Sequence, residues 1–169
     1  KLKETKKHLN LAEKPIILFV GRVDDPRKGL DFLLKAFKEV LEKIDAMLLV
    51  VGKGDQTEAR TLAKSLRVSE NVVFTGFVDE ITLKKCYAIC DVYVCPSRLE
   101  GFGLTVLEAM ACGKTVVATN TTTIPEVVED AGVLVEPEKP DTLAEAIIDS
   151  LSDERRRKIR QLYPQIRRP

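Results

Sequence analysis

A chain of 169 residues that is 44% hydrophobic and 31% charged is long enough to bury one good core, and its composition is that of an ordinary soluble globular domain. Its 27 basic residues nearly balance 26 acidic ones, but from Glu154 onward seven Lys and Arg face one Glu, leaving a body of 20 basic and 25 acidic residues with a basic tail. Aromatic residues make up only 5%, and no basic run is interleaved with them, which argues against a nucleic-acid-binding surface.

The mixed, charged stretch Lys1 to Lys14 precedes any strand-like run and reads as a linker between domains. Ile16 to Val20 is apolar throughout and predicts a buried strand. From Leu30 to Ile44 apolar residues fall at 30, 33, 34, 37, 40, 41 and 44, the spacing of an amphipathic helix. The alternation continues with strand Met47 to Val51, helix Thr57 to Leu66, strand Val72 to Thr75, helix Ile81 to Ile89 and strand Val92 to Cys95. Then follow helix Leu104 to Ala111, strand Thr115 to Ala118, a short helix Pro125 to Val128, strand Val133 to Val135 and helix Thr142 to Leu151.

Strands that are apolar throughout, rather than alternating, imply burial on both faces, and the intervening helices imply crossovers between parallel strands. The expected fold is therefore a doubly wound α/β domain with a mostly parallel six-stranded sheet, spanning residues 15–152 between the linker 1–14 and a basic tail or helix 153–169. That tail is either a solvated helix end or a surface for acidic lipid headgroups. Cys86, Cys90, Cys95 and Cys112 form no C-x-x-C pair, and His8 lies far from them, so they read as small buried thiols and no metal site is expected. With no signal peptide and no apolar run approaching ~20 residues, the expected location is the cytoplasm, including the inner face of the membrane.

Ligands of such sheets bind beyond the carboxyl ends of the strands. After the first strand, Gly21-Arg22-Val23-Asp24-Asp25-Pro26-Arg27-Lys28-Gly29 places two glycines and three cations before a helix start, an anion site in outline. After the fourth strand comes Ser97-Arg98-Leu99-Glu100-Gly101-Phe102-Gly103-Leu104, leading into a helix whose only charge before Gly113 is Glu108. Leu104, Ala111 and Cys112 flank Glu108 at helical spacing, which predicts a carboxylate on an apolar face. Such a group needs a partner. A ligand diol such as ribose would serve, and so would an internal salt bridge to Arg98 or Lys114. Glu100 is either a ligand contact beside glycines or a first-turn acid favoured by the helix dipole. No G-x-G-x-x-G follows the first strand, and no phosphate-loop or nucleophile-elbow motif occurs.

Gly-Arg followed by Lys-Gly, Val50-Val51-Gly52-Lys53-Gly54-Asp55, Phe74-Thr75-Gly76-Phe77-Val78, Pro96-Ser97-Arg98 and Glu100-x7-Glu108 together resemble glycosyltransferase family 4, from about Pro15 to Leu151. The resemblance implies a retaining enzyme with two Rossmann-like domains facing across a cleft, the GT-B fold, of which this would be the C-terminal, donor-binding half. It implies that Gly21, Arg22 and Lys28 meet the donor diphosphate, that Glu108 takes the ribose hydroxyls, and that Glu100 with the backbone of Gly101, Phe102, Gly103 and Leu104 holds the sugar and phosphate. Arg22, Lys28 and Glu100 are then the catalytic candidates, and the backbone near Val78 meets the nucleobase. No cofactor or metal is implied, since protein cations would stabilise the leaving diphosphate.

The loop after the first strand is especially similar to that of phosphatidylinositol mannosyltransferases, which favours GDP-mannose over UDP-sugars and a lipid or saccharide acceptor at a membrane surface. Two departures bear on pocket shape: Thr122-Thr123 stand where the family commonly has Gly-Gly, and Gly113-Lys114-Thr115-Val116 where it has Gly-x-Pro-Val. The expected partners are the nucleotide-sugar donor and an N-terminal acceptor domain of the same polypeptide, without which the chain is expected to bind donor but turn over poorly. The alternatives are half of a sugar-nucleotide epimerase and a non-enzymatic, flavodoxin-like signalling domain.

Overall fold

The computed structural model describes residues 2–129 and 132–152. Helix α1 (Leu2–His8) precedes β1 (Ile16–Val20), and a 3-10 turn at Pro26–Lys28 leads into α2 (Leu30–Leu41). Then follow β2 (Met47–Val51), α3 (Thr57–Ser65), β3 (Val72–Gly76), α4 (Glu80–Ile89), β4 (Val92–Cys95), α5 (Leu104–Ala111), β5 (Thr115–Thr119), α6 (Ile124–Val128), β6 (Gly132–Val135) and α7 (Pro140–Leu151). The six strands lie in the order β3-β2-β1-β4-β5-β6, and every pairing is parallel. The doubly wound sheet expected from the apolar runs is what forms.

Period-two alternation assigns each strand's side chains to two cores. Ile17, Phe19, Leu48, Val50, Val92, Val94 and Val117 pack with α2, α3 and α7, and Phe32, Leu33 and Phe37 fill that layer. Ile16, Leu18, Met47, Leu49, Tyr93, Cys95, Val116 and Ala118 pack on the opposite face with α4, α5 and α6. Both faces are covered, which is why β1, β2, β4 and β5 carry no charged residue and no polar group beyond the Tyr93 hydroxyl, the Cys95 thiol and the threonines at the ends of β5.

Strand order reverses between β1 and β4, which pair through Ile17 with Val92 and Leu18 with Tyr93. The β1 chain leaves towards β2 and the β4 chain towards β5, so a crevice opens between the two departing loops at the carboxyl edge. Within the 1–14 stretch, α1 packs against α4 and Leu11 is buried. The basic tail 153–169 lies outside the described residues.

Candidate functional site

The loops after β1 and β4 meet across the crevice. Gly29 sits at φ 69°, and a Cβ there would fall 2.0 Å from the carbonyl oxygen of Pro96, so only glycine allows this approach. The contact is sealed by main-chain bonds from the amides of Arg98 (2.7 Å) and Leu99 (3.4 Å) to the carbonyl of Arg27. The neighbouring loop after β2 is as close: a Cβ on Gly52 would lie 1.8 Å from the carbonyl oxygen of Gly21.

An ion pair crosses this junction. Lys28 Nζ donates to both carboxylate oxygens of Glu100 at 2.9 Å, and Ser97 Oγ donates to Glu100 Oε2 at 3.0 Å. The Glu100 side chain is 11% exposed and that of Lys28 29%, so the pair is half sheltered. An ammonium has three protons, and two are taken by Glu100, which leaves one for an anion entering the crevice. Glu100 lies ahead of the N-cap Gly103, so Lys28 anchors it rather than the helix dipole.

The other two cations of the first loop are held by its own carboxylates. Arg22 donates through Nε (3.1 Å) and Nη2 (3.0 Å) to Asp24, and Arg27 through Nε (3.0 Å) and Nη2 (2.8 Å) to Asp25. These bonds depress both carboxyls, that of Asp25 to about 2. The Arg22 bonds to Asp24 use Nε and Nη2 and leave its Nη1 protons unused by that carboxylate.

The β4–α5 loop is fixed from its other side by β5 and the turn that follows. Thr119 bonds to the carbonyl of Ser97, Thr121 to Arg98 (2.9 Å), Thr122 to Glu100 (2.8 Å) and Thr123 to Gly101 (3.2 Å). Thr122 also accepts from the amide of Glu100 at 3.3 Å and sits at φ 46°, a conformation a β-branched residue adopts only when its surroundings impose it. The threonines that replace glycines here turn their hydroxyls onto the loop. Arg98 completes the bracing with a bidentate bond to Asp31 (2.8 and 2.9 Å), another to Glu138 (2.6 Å) and one to the carbonyl of Pro26 (2.8 Å).

Glu108 is exposed, contrary to the buried carboxylate that its apolar neighbours predicted. Helix α5 buries Val106 and Ala109, while Leu104 and Leu107 on the flanking positions are themselves 61% and 39% exposed. The apolar face around Glu108 therefore points outward. Neither expected salt bridge forms, because Arg98 is engaged as above and Lys114 Nζ donates to the carbonyls of Ala88 and Cys90. Among the described residues no cation lies within ion-pair distance of Glu108, and its one side-chain partner is the hydroxyl of Tyr87, 2.8 Å from Oε2.

The large hydrophobic residues left exposed among those described fall in two segments: Phe77 and Ile81 follow β3, and Leu99, Phe102, Leu104 and Leu107 follow β4. Among the described residues no group of His, Cys, Asp and Glu is arranged to hold a metal ion. Cys86, Cys90 and Cys95 are buried as expected, whereas Cys112 is only partly so. Burial pushes the Cys86 thiol up to about 11 and that of Cys90 to about 12, so neither is a nucleophile near neutrality.

The sequence profile described as Glycosyl transferases group 1 matches residues 1–163. The chain belongs to this family. An uncharacterized glycosyltransferase of Methanocaldococcus jannaschii is 40% identical over 144 residues, which are 83% of this chain and 37% of that one. A GDP-mannose-dependent alpha-(1-6)-phosphatidylinositol monomannoside mannosyltransferase of Mycolicibacterium smegmatis is 36% identical over 157 residues, 86% of this chain and 41% of its own. A crystal structure of the Anabaena protein HepE in complex with UDP and glucose superposes with a TM-score of 0.82 at 26% identity, covering 92% of this chain and 43% of that one. The chain thus spans less than half the length of these relatives.

For a group 1 glycosyl transferase domain the motif residues are distributed unevenly. Lys28 and Glu100 touch, and Gly101, Phe102, Gly103 and Leu104 lead from them into α5, with Glu108 one turn further on. Gly21 lies beside the stem of Lys28, 3.7 Å from where its own Cβ would stand. Val78 lies beyond β3, its side chain partly buried against the α4 and α5 core. The sequence marks Ser97 only within the Pro-Ser-Arg motif and Thr122 and Thr123 only as departures bearing on pocket shape; it does not point to Thr119, Thr121 or Tyr87. The threonine row was the findable one, since four hydroxyls between Thr119 and Thr123 at a strand's carboxyl end are unusual. Nothing in spacing marks Tyr87.

Proposed function

We propose that this group 1 glycosyl transferase domain binds the nucleotide-sugar donor of a retaining hexosyltransferase in the crevice between the loops after β1 and β4. The observation that carries the reading is the Lys28–Glu100 pair spanning the strand-order reversal, immediately ahead of the α5 N-terminus. A diphosphate there meets the free proton of Lys28, the unused donors of Arg22 and the main-chain amides from Gly101 to Leu104, all of which favour negative charge. Those same cations, without a metal or resident cofactor, would offset the charge growing on the leaving diphosphate. Glu100 and its loop meet the sugar, Glu108 accepts from the ribose diol, and the backbone near Val78 meets the base.

GDP-mannose is the favoured donor, supported by the loop after β1 and by the mannosyltransferase relative. The relative bound to UDP and glucose makes a UDP-sugar the competing choice. An acceptor at a membrane surface fits the phosphatidylinositol monomannoside named for that mannosyltransferase, and the acceptor half would come from a further domain. Binding by this chain is then expected without rapid turnover.

Two variants separate the roles. Lys28→Met, titrated with a nucleoside diphosphate and its parent nucleoside, is expected to lose about ten- to a hundredfold in affinity for the diphosphate alone. Glu108→Ala is expected to weaken both ligands by ~1.5 to 3 kcal/mol. Unchanged affinities in folded variants would remove the assignments.

A further inference from the structure

Tyr87 sits near the end of α4 with its ring 2% exposed, packed against Tyr93 of β4 at 5.8 Å between ring centroids. The two hydroxyls reach the same stretch of α5 by different routes. Tyr93 donates to Thr105 Oγ1 at 2.8 Å, while Tyr87 lies 2.8 Å from Glu108 Oε2 and 3.2 Å from the carbonyl of Thr105. A phenol has one proton, and the shorter, charge-assisted contact takes it.

We propose that Tyr87 is a positioning residue for Glu108: its buried hydroxyl fixes one carboxylate oxygen and leaves the other turned out to accept from a vicinal diol. The inference rests on the reading of Glu108 as the ribose contact. An exposed glutamate on a helix ordinarily samples several rotamers, and ordering it opposes binding. Here a neutral donor on a rigid ring holds it in advance, where a cation would have cancelled the charge that the diol's hydroxyls need. Burial, and then the bond to Glu108, raise the Tyr87 phenol well above its ordinary value, so it stays a donor at any working pH.

The test compares the chain with Tyr87→Phe and Tyr93→Phe, each titrated with GDP and UDP and with their 2′-deoxy and 3′-deoxy counterparts. The parent chain is expected to prefer the ribonucleotide by roughly tenfold or more, and Tyr87→Phe to lower ribonucleotide affinity about five- to tenfold while leaving the deoxy forms unchanged. Tyr93→Phe, which removes an equally buried hydroxyl that does not touch Glu108, is expected to keep the preference. A preference intact in Tyr87→Phe, or an equal loss for every ligand in both variants, overturns the inference and leaves the Glu108 assignment standing. A parent chain that treats ribose and deoxyribose alike, or that binds neither nucleotide, overturns both. Should Tyr87→Phe fail to fold, the Cζ resonance of Tyr87 in the 13C-tyrosine-labelled parent chain takes its place. It is expected to shift with the ribonucleotide and not with the 3′-deoxy form, and equal shifts overturn the inference.

Discussion

Arg98 is one residue of a Pro-Ser-Arg motif, yet it joins three parts of the molecule: the start of α2 through Asp31, the 3-10 turn through Pro26, and the segment before α7 through Glu138. The bidentate bond holds the Asp31 carboxyl below the usual range, by hydrogen bonding first and Coulomb attraction after it. A depressed carboxyl contributes stability above its unfolded value, about 3.9, and that contribution disappears as pH falls through the folded value. Asp31→Asn is therefore expected to lower stability near neutrality, with the deficit shrinking as pH falls below the unfolded carboxyl value and vanishing below the folded one, in urea melts across pH. Because the Asp31 side chain is 41% exposed, solvent screening limits the effect to about 1 kcal/mol or less. A deficit that persists undiminished at pH 3 would show that Arg98 braces the loop without help from that charge.

At the scale of elements, the site is made by close approach of loops rather than by any one of them. Gly29→Ala places a methyl group against the Pro96 carbonyl at a left-handed φ, so strain and overlap act together. It is expected to cost ~2 kcal/mol or more in chemical denaturation. A neutral result would mean the loops part easily. The strands themselves were legible because each is a short apolar run that β-branched residues favour, and all six were placed within one residue of their observed bounds. Helix ends were less so. The periodic run to Ile44 overshoots α2, which stops at Leu41, because Ile44 still reaches the core from the following turn, its amide bonding to Val40. The α7 helix begins two residues before Thr142, since proline is tolerated at a first helical position. Helix α1 was invisible within a charged stretch whose leucines show no sustained period. Glu108 shows the limit of periodicity at a site: a face of Leu104, Ala111 and Cys112 predicts burial, and only tertiary structure shows that this face looks outward.

For the molecule as a whole, two apolar cores, one on each face of the parallel sheet, support the loops at its carboxyl edge where the proposed donor site lies. Family membership follows from the match over residues 1–163, and the proposed donor site rests on the Lys28–Glu100 pair that joins the loops after β1 and β4 ahead of α5. The most direct measurement is calorimetric titration of the 169-residue chain with GDP, UDP and ADP, with and without magnesium. Saturable binding of GDP, or of UDP, at one site per chain and without need of the metal is the expected result. Absence of binding by all three nucleotides, with the fold intact, would contradict the assignment of this crevice as a self-sufficient donor site.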